Sequence, residues 1–182
     1  VRLGNALDAS TTMGPIAFAE QFEKVKRYIE LGRKEGAEIV FGGRFGPENF
    51  PADSPLAGGY FVAPTLFRGA KNEMRVCQEE IFGPVAVVVP FDSVEEGLAI
   101  ANDSDYGLAG SVYTADADLG MHVARRVRTG TYGINQYTMD FNAPFGGFKG
   151  SGVGREFGKE GLAHYLELKS IVPPGGGVAA AG

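Results

Sequence analysis

From Val85 onward the sequence alternates between two periods, and that alternation limits the fold more than any other feature. Val85 to Phe91 is a continuous apolar run, the pattern of a strand covered on both faces. Ser93-Val94-Glu95-Glu96 is a capping box, with serine at the cap and glutamate three positions on. Its helix turns Val94, Leu98 and Ala101 inward and stops near Asn102-Asp103. Ala109 to Tyr113 is the next strand. Asp116 then opens a helix that carries Leu119, Val123 and Val127 at four-residue steps, and Gly130 closes it. Thr131 to Ile134 is a third strand. Strands and helices that alternate over short links give parallel strands joined by right-handed crossovers. The expected fold class is therefore α/β: an open, mostly parallel sheet with flanking helices.

The part before Val85 is less regular. Residues 1–15 lack periodicity and read as a surface lead-in, with Pro15 suited to the first turn of the helix that follows. Phe18, Phe22, Val25, Ile29 and Gly32 recur at helical spacing, and Gly36 is a natural stop. Ala37 to Phe41 is a short strand. Residues 44–58 form a loop. Tyr60 to Phe67 favours strand, but Pro64 makes it an edge strand or a broken one. Beyond the third strand, residues 135–159 make a long irregular loop, of the kind that compact domains keep for a use. A short helix over Glu160 to Tyr165 and a last strand, Leu166 to Val172, are expected. The tail from Pro173 is expected to be disordered.

Composition excludes several functions. A net charge of −5 argues against nucleic acid or an anionic membrane surface as partner, because both select basic patches. The dense basic cluster, Arg125, Arg126 and Arg128, sits where it complements the end of a helix. No apolar run approaches the roughly 20 residues of a membrane helix. The two histidines, His122 and His164, lack metal-site spacing. The one cysteine, Cys77, excludes an internal disulfide and fits a reducing compartment, so a cytoplasmic location is expected. The chain begins at Val1 without an initiator methionine or a signal-peptide layout, and is expected to be a piece of a longer protein.

Four motifs carry candidate chemistry. Gly150-Ser151-Gly152-Val153-Gly154 has the wrong spacing for a dinucleotide loop and follows a loop rather than a strand. Neither Lys149 nor Lys159 stands in a P-loop frame. Cys77 has Arg75 nearby, but Glu79 and Glu80 oppose a thiolate, so a half-buried structural thiol is the reading preferred. Glu79-Glu80-Ile81-Phe82-Gly83-Pro84 has the better physical case. A carboxylate accepts two hydrogen bonds from vicinal ribose hydroxyls. An aromatic two residues along an extended segment lies on the same side and packs against a flat ring. The spacing alone is nonspecific, and a solvated pair of acids fits it equally.

Three segments in order remove much of that ambiguity: Glu79 to Val85, Asn102 to Leu108, and Pro144 to Gly158. Together they closely resemble the C-terminal portion of the aldehyde dehydrogenase superfamily, over about Gly14 to Val172. The resemblance implies NAD or NADP as cofactor, an aldehyde as substrate and a homo-oligomer, a dimer or tetramer, in the full-length form. It matches Glu80 to the glutamate that binds the nicotinamide ribose, and Phe82 to the aromatic beside the nicotinamide ring. Glu156 matches a glutamate implicated in proton relay in some members. Phe145, Asn135 and Tyr137 fall in the substrate-tunnel region. The family's nucleophilic cysteine, general-base glutamate and dinucleotide-binding domain lie upstream of the matched portion, and Cys77 is not at the nucleophile position. The expected organisation is therefore a partial catalytic domain over 1–165, an oligomerisation-arm strand over 166–172 and a tail over 173–182. Such a chain would be inactive alone. The competing expectation is a non-catalytic assembly module that uses the Leu166 to Val172 strand.

Overall fold

A computed structural model describes residues 1–174; of the tail expected over 173–182, residues 175–182 lie outside the described residues. The fold is α/β, with small mixed and parallel sheets flanked by helices. The chain forms two compact units, Val1–Ile100 and Ala101–Gly182.

In the first unit, helix α1 (Ala19–Glu35) carries the apolar stripe that its sequence dictates. Val25 and Ile29 are fully buried, and Gly36 ends the helix in the left-handed conformation at φ +99°. Pro15 does not lie in its first turn. Phe18, extended at φ −152°, is the residue that precedes the helix, and its ring is about half exposed rather than inward. The helix packs with a three-stranded sheet ordered β1 (Glu38–Phe41), β2 (Thr65–Arg68), β3 (Val85–Val87). β1 and β2 are antiparallel, with an irregularity between Ile39 and Phe41, whereas β2 and β3 are parallel. The core gathers Val25, Ile29, Ala37, Val62, Phe67, Ala70 and Ile81. Burial of a side chain like Phe67, which is 0% exposed, contributes about 1.5–3 kcal/mol.

Pro64 breaks the Tyr60 to Phe67 run: β2 begins one residue later, where the Thr65 N–H donates to the Pro84 carbonyl at 2.8 Å. The Thr65 hydroxyl, although buried, is satisfied by donating to Ala63 O and accepting from Gly43 N–H. β3 departs from expectation. It keeps three residues of the apolar run and alternates, with Ala86 exposed and Val88 beyond it also exposed, so one face alone is covered. A short helix, α2 (Arg75–Gln78), precedes it.

Helix α3 (Val94–Asn102) follows the capping box. Ser93 Oγ accepts from the Glu96 N–H at 3.1 Å, while the Glu96 carboxylate reaches the N–H of Asp92, one residue before the cap. Leu98 is buried but Ala101 is exposed.

The second unit contains β4 (Tyr106–Gly107), β5 (Ala109–Val112), α4 (Ala117–Arg126), β6 (Thr131–Ile134), β7 (Phe148–Lys149) and α5 (Gly158–Ala163). β5 and β6 pair in parallel across α4, as their grammar requires, and the Asp116 carboxylate caps α4 through the Leu119 N–H at 3.0 Å. β3 finds its ladder partner in β2, so the expected run of three parallel strands is realised as two separate parallel pairings. The long 135–159 segment is tied down by the β4–β7 ladder and by a bridge between Phe145 and Glu156. Two-residue ladders are too short to leave a periodic signature in sequence. Gly130 illustrates the closeness of this packing, since a Cβ there would stand 1.6 Å from the Gly146 carbonyl oxygen. Residues 166–172 form no strand: among the described residues no segment pairs with them, and Leu168, Ile171 and Val172 are largely exposed.

Candidate functional site

The 79–83 segment is built against α1. Glu79 is extended at φ −112°, ψ 146°, so its side chain and that of Glu80 leave opposite sides of the chain. Glu79 turns to α1 and is held on both oxygens. Arg75 Nε and Nη2 donate to Oε1 and Oε2 at 2.5 and 3.0 Å, and the Tyr28 hydroxyl donates to Oε2. The Arg75 hydrogen bond, then that of Tyr28, lowers the Glu79 carboxyl to about 2. The same contact with Glu79, followed by burial, raises the Tyr28 phenol. Glu80 is left exposed on the other side.

The main chain of the next three residues is clasped in turn. Lys24 Nζ donates to the Glu80 carbonyl at 2.7 Å. Gln21 Nε2 donates to the Ile81 and Phe82 carbonyls at 2.8 and 2.7 Å. Phe82 has φ +52°, a left-handed conformation that non-glycine residues seldom take, and its ring is 75% exposed. Gly83 permits the close approach to α1, because a Cβ there would lie 2.4 Å from Val25 Cγ2. Glu80 offers an exposed carboxylate that can accept hydrogen bonds and Phe82, two residues on, an exposed ring, but the left-handed turn at Phe82 replaces the extended course from which a common side was expected.

Cys77 lies beside this segment, half-buried. Burial first, then the charges of Glu35 and Glu73, raise its thiol, which disfavours the nucleophilic thiolate.

In the second unit, Phe145 and Glu156 meet directly. Their backbones exchange two hydrogen bonds, 2.8 Å from Phe145 N–H and 2.7 Å from Glu156 N–H. Both line a depression of about 890 Å³, shared with Phe157, Arg155, His164 and Tyr165. Arg155 braces its rim by donating to the carbonyls of Gly147, Val153 and Gly154. Asn135 and Tyr137 are not part of its lining. The Asn135 amide is instead engaged with the backbone of Thr114, accepting from its N–H and donating to its carbonyl at 2.8 Å each, with Asn135 itself at φ +56°. Tyr137 is exposed.

Sequence reading missed Gln21, Lys24 and Tyr28. The signal existed: these positions, three and four apart, form one stripe of α1. Among the described residues no group of three or more His, Cys, Asp or Glu is placed to hold a metal ion, and no helix is long and apolar enough to cross a membrane.

A family model described as "Aldehyde dehydrogenase family" matches residues 1–171. Geranial dehydrogenase of Castellaniella defragrans is 46% identical over 169 residues, which cover 93% of this chain and 34% of that protein. Betaine aldehyde dehydrogenase of Bacillus subtilis is 45% identical over 172 residues, 94% of this chain and 34% of that protein. A crystal structure of Mycobacterium tuberculosis aldehyde dehydrogenase complexed with NAD+ superposes with a TM-score of 0.88 at 45% identity, covering 98% of this chain and 36% of that one. The chain thus spans about one third of the length of the relatives it matches.

The Glu79 contacts have a pH signature. A carboxyl lowered on folding stabilises the folded form above its ordinary range near 4.5, and that contribution is lost as pH falls through about 2. Thermal unfolding followed from about pH 5 down to about pH 2 should show a steeper loss for the parent chain than for Glu79→Gln. Equal slopes would mean that Glu79 gains nothing from Arg75 and Tyr28.

Proposed function

The chain belongs to the aldehyde dehydrogenase family, and from that premise we propose that it is a C-terminal portion of an NAD(P)-dependent enzyme that oxidises an aldehyde to a carboxylic acid. The observation that carries the reading is the pairing of exposed Glu80 with exposed, left-handed Phe82 on a backbone clasped by α1. NAD+ is the cofactor favoured, by likeness to the Mycobacterium tuberculosis enzyme whose structure holds it.

In this reading the Glu80 carboxylate accepts hydrogen bonds from the two hydroxyls of the nicotinamide ribose. Phe82 packs beside the ring and restricts its tilt. The bound nicotinamide supplies the hydride acceptor for aldehyde oxidation. Phe145 forms an apolar wall for the substrate, and Glu156, exposed at the same depression, is the proton-relay carboxylate. Asn135 acts by fixing the start of the 136–145 segment on Thr114, and Tyr137 stands on that segment. A cytoplasmic location goes with the single, unpaired cysteine.

The chain by itself is proposed to be inactive, because its one thiol is the raised, half-buried Cys77. Incubated with NAD+ and a panel of aldehydes, it should form no NADH. Turnover that disappears in Cys77→Ala would overturn this. In a longer protein that includes these residues, Glu80→Gln should lower kcat/KM for NAD+ by about 10- to 100-fold, the worth of charge-assisted hydrogen bonds of about 1.5–3 kcal/mol. An unchanged kcat/KM would remove Glu80 from the cofactor site.

A second reading, compatible with the first, is that residues 166–172 add as a strand to another copy of the chain. Its support is the exposed apolar row Leu166, Leu168, Ile171 and Val172. Light scattering across a concentration series should show self-association that Leu168→Lys weakens. A monomer at every concentration would sink it.

A further inference from the structure

Resting on the reading of Glu80 and Phe82 as the nicotinamide-ribose site, we infer that Gln21 is a positioning residue: by bridging the Ile81 and Phe82 carbonyls it holds Phe82 left-handed and so aims both the ring and the Glu80 carboxylate. The side-chain amide donates from one nitrogen to two successive carbonyls, at 2.8 and 2.7 Å. Successive carbonyls of an extended chain point to opposite sides. They converge on one donor only where the intervening backbone is turned, and the turned residue here is Phe82 at φ +52°. A left-handed non-glycine residue is disfavoured unless its surroundings hold it there. The Phe82 ring does not supply that hold, since it is 75% exposed. The backbone contacts do.

Gln21 heads a stripe that continues with Lys24 on the Glu80 carbonyl and Tyr28 on the Glu79 carboxylate. The helix and the segment run in opposite directions: positions 21, 24 and 28 meet residues 82 and 81, then 80, then 79. Val25, on the adjoining face, seals the contact at Gly83. The pinned Glu79 side chain sends Glu80 outward, and the Gln21 bridge sets the ring two residues later. Fixing both ends of a three-residue span sets the directions in which the Glu80 and Phe82 side chains leave the backbone, which narrows the arrangements they can present to a joined ribose and heterocycle.

The test uses residue-resolved amide hydrogen exchange on the 182-residue chain, without cofactor. Gln21→Glu keeps the size of the side chain and replaces the donor with an acceptor that repels both carbonyls. It should raise exchange at the Val85 amide, which donates to the Gly83 carbonyl at 2.8 Å, by about tenfold, the worth of one to two hydrogen bonds, while amides of β5 and β6 keep their rates. Gln21→Met, which retains packing alone, should behave like Gln21→Glu. In a Phe82→Gly background, where the left-handed turn is unstrained, Gln21→Glu should have less than about a third of that effect. The inference is overturned by an unchanged rate at Val85, by an equal rise throughout the chain, or by an undiminished effect in the Phe82→Gly background. It is also overturned if NAD+ affinity falls in Gln21→Glu of the longer protein while exchange at Val85 stays at the parent rate, because the glutamine would then act on the cofactor directly. The exchange result needs no nucleotide and is independent of Glu80→Gln, so the two readings fail separately.

Discussion

The close contact of one turn of α1 with Gly83 governs the geometry around it. Val25 is fully buried, and its methyl groups occupy the space that a side chain at 83 would fill. That approach brings the polar stripe of the same helix within hydrogen-bonding reach of 79–82. It also places Ile81 in the core with Ile29 and Phe67. The apolar contact supplies the stability, and the polar stripe supplies the register. Apolar packing has little directional preference, whereas a donor that must reach two carbonyls fixes position within a fraction of an ångström.

The second unit solves a different problem. Its glycine-rich segment has few apolar side chains to bury, so cationic side chains gather its carbonyls instead. Arg155 takes three between 147 and 154, and Lys149 Nζ takes those of Asn102 and Ser104 at 2.9 and 2.7 Å. Hydrogen bonds from charged donors are stronger than neutral ones and suit a loop whose backbone lacks a ladder. Asn102 adds a further tie, donating to Arg126 O and accepting from Arg128 N–H. The basic residues at the end of α4 are thus near a side chain that reads their backbone rather than their charge.

What is legible in the sequence is what local chemistry decides. Ser93 caps α3, Asp116 caps α4, Gly36 stops α1 and Pro64 delays β2, each through contacts a few residues long. Thr131 to Ile134 forms a strand with the expected bounds, set between bends at Gly130 and Asn135. Covering of faces was less legible. Val85 to Phe91 has the composition of a two-sided strand, yet Ala86, Val88 and Phe91 are exposed, because burial depends on what packs against a strand and not on the strand. At the candidate site, residue type and motif order single out Glu80 and Phe82 in the sequence. Their support is not singled out, since Gln21 lies 60 and 61 positions from the carbonyls it holds. Asn135 shows another non-local tie. Its type and place put it at the start of the variable segment, but its left-handed backbone and its two bonds to Thr114, 21 positions away, are not legible there.

That separation along the chain bears on how the molecule assembles. The contacts between α1 and 79–82 close loops of 51 to 61 residues, whereas the turns, caps and the β5–α4–β6 pairing close much shorter ones. Loop closure of that length carries an entropic penalty before any contact repays it, and non-local contacts slow folding accordingly. The helix and the β1–β2 ladder have shorter connections and can form beforehand. The clasp on Phe82 then belongs to the last events of folding and to the first that local opening undoes. A newly made chain would acquire its secondary structure well before it acquired an ordered ring at position 82, so competence to hold a ligand there would mature later than the fold.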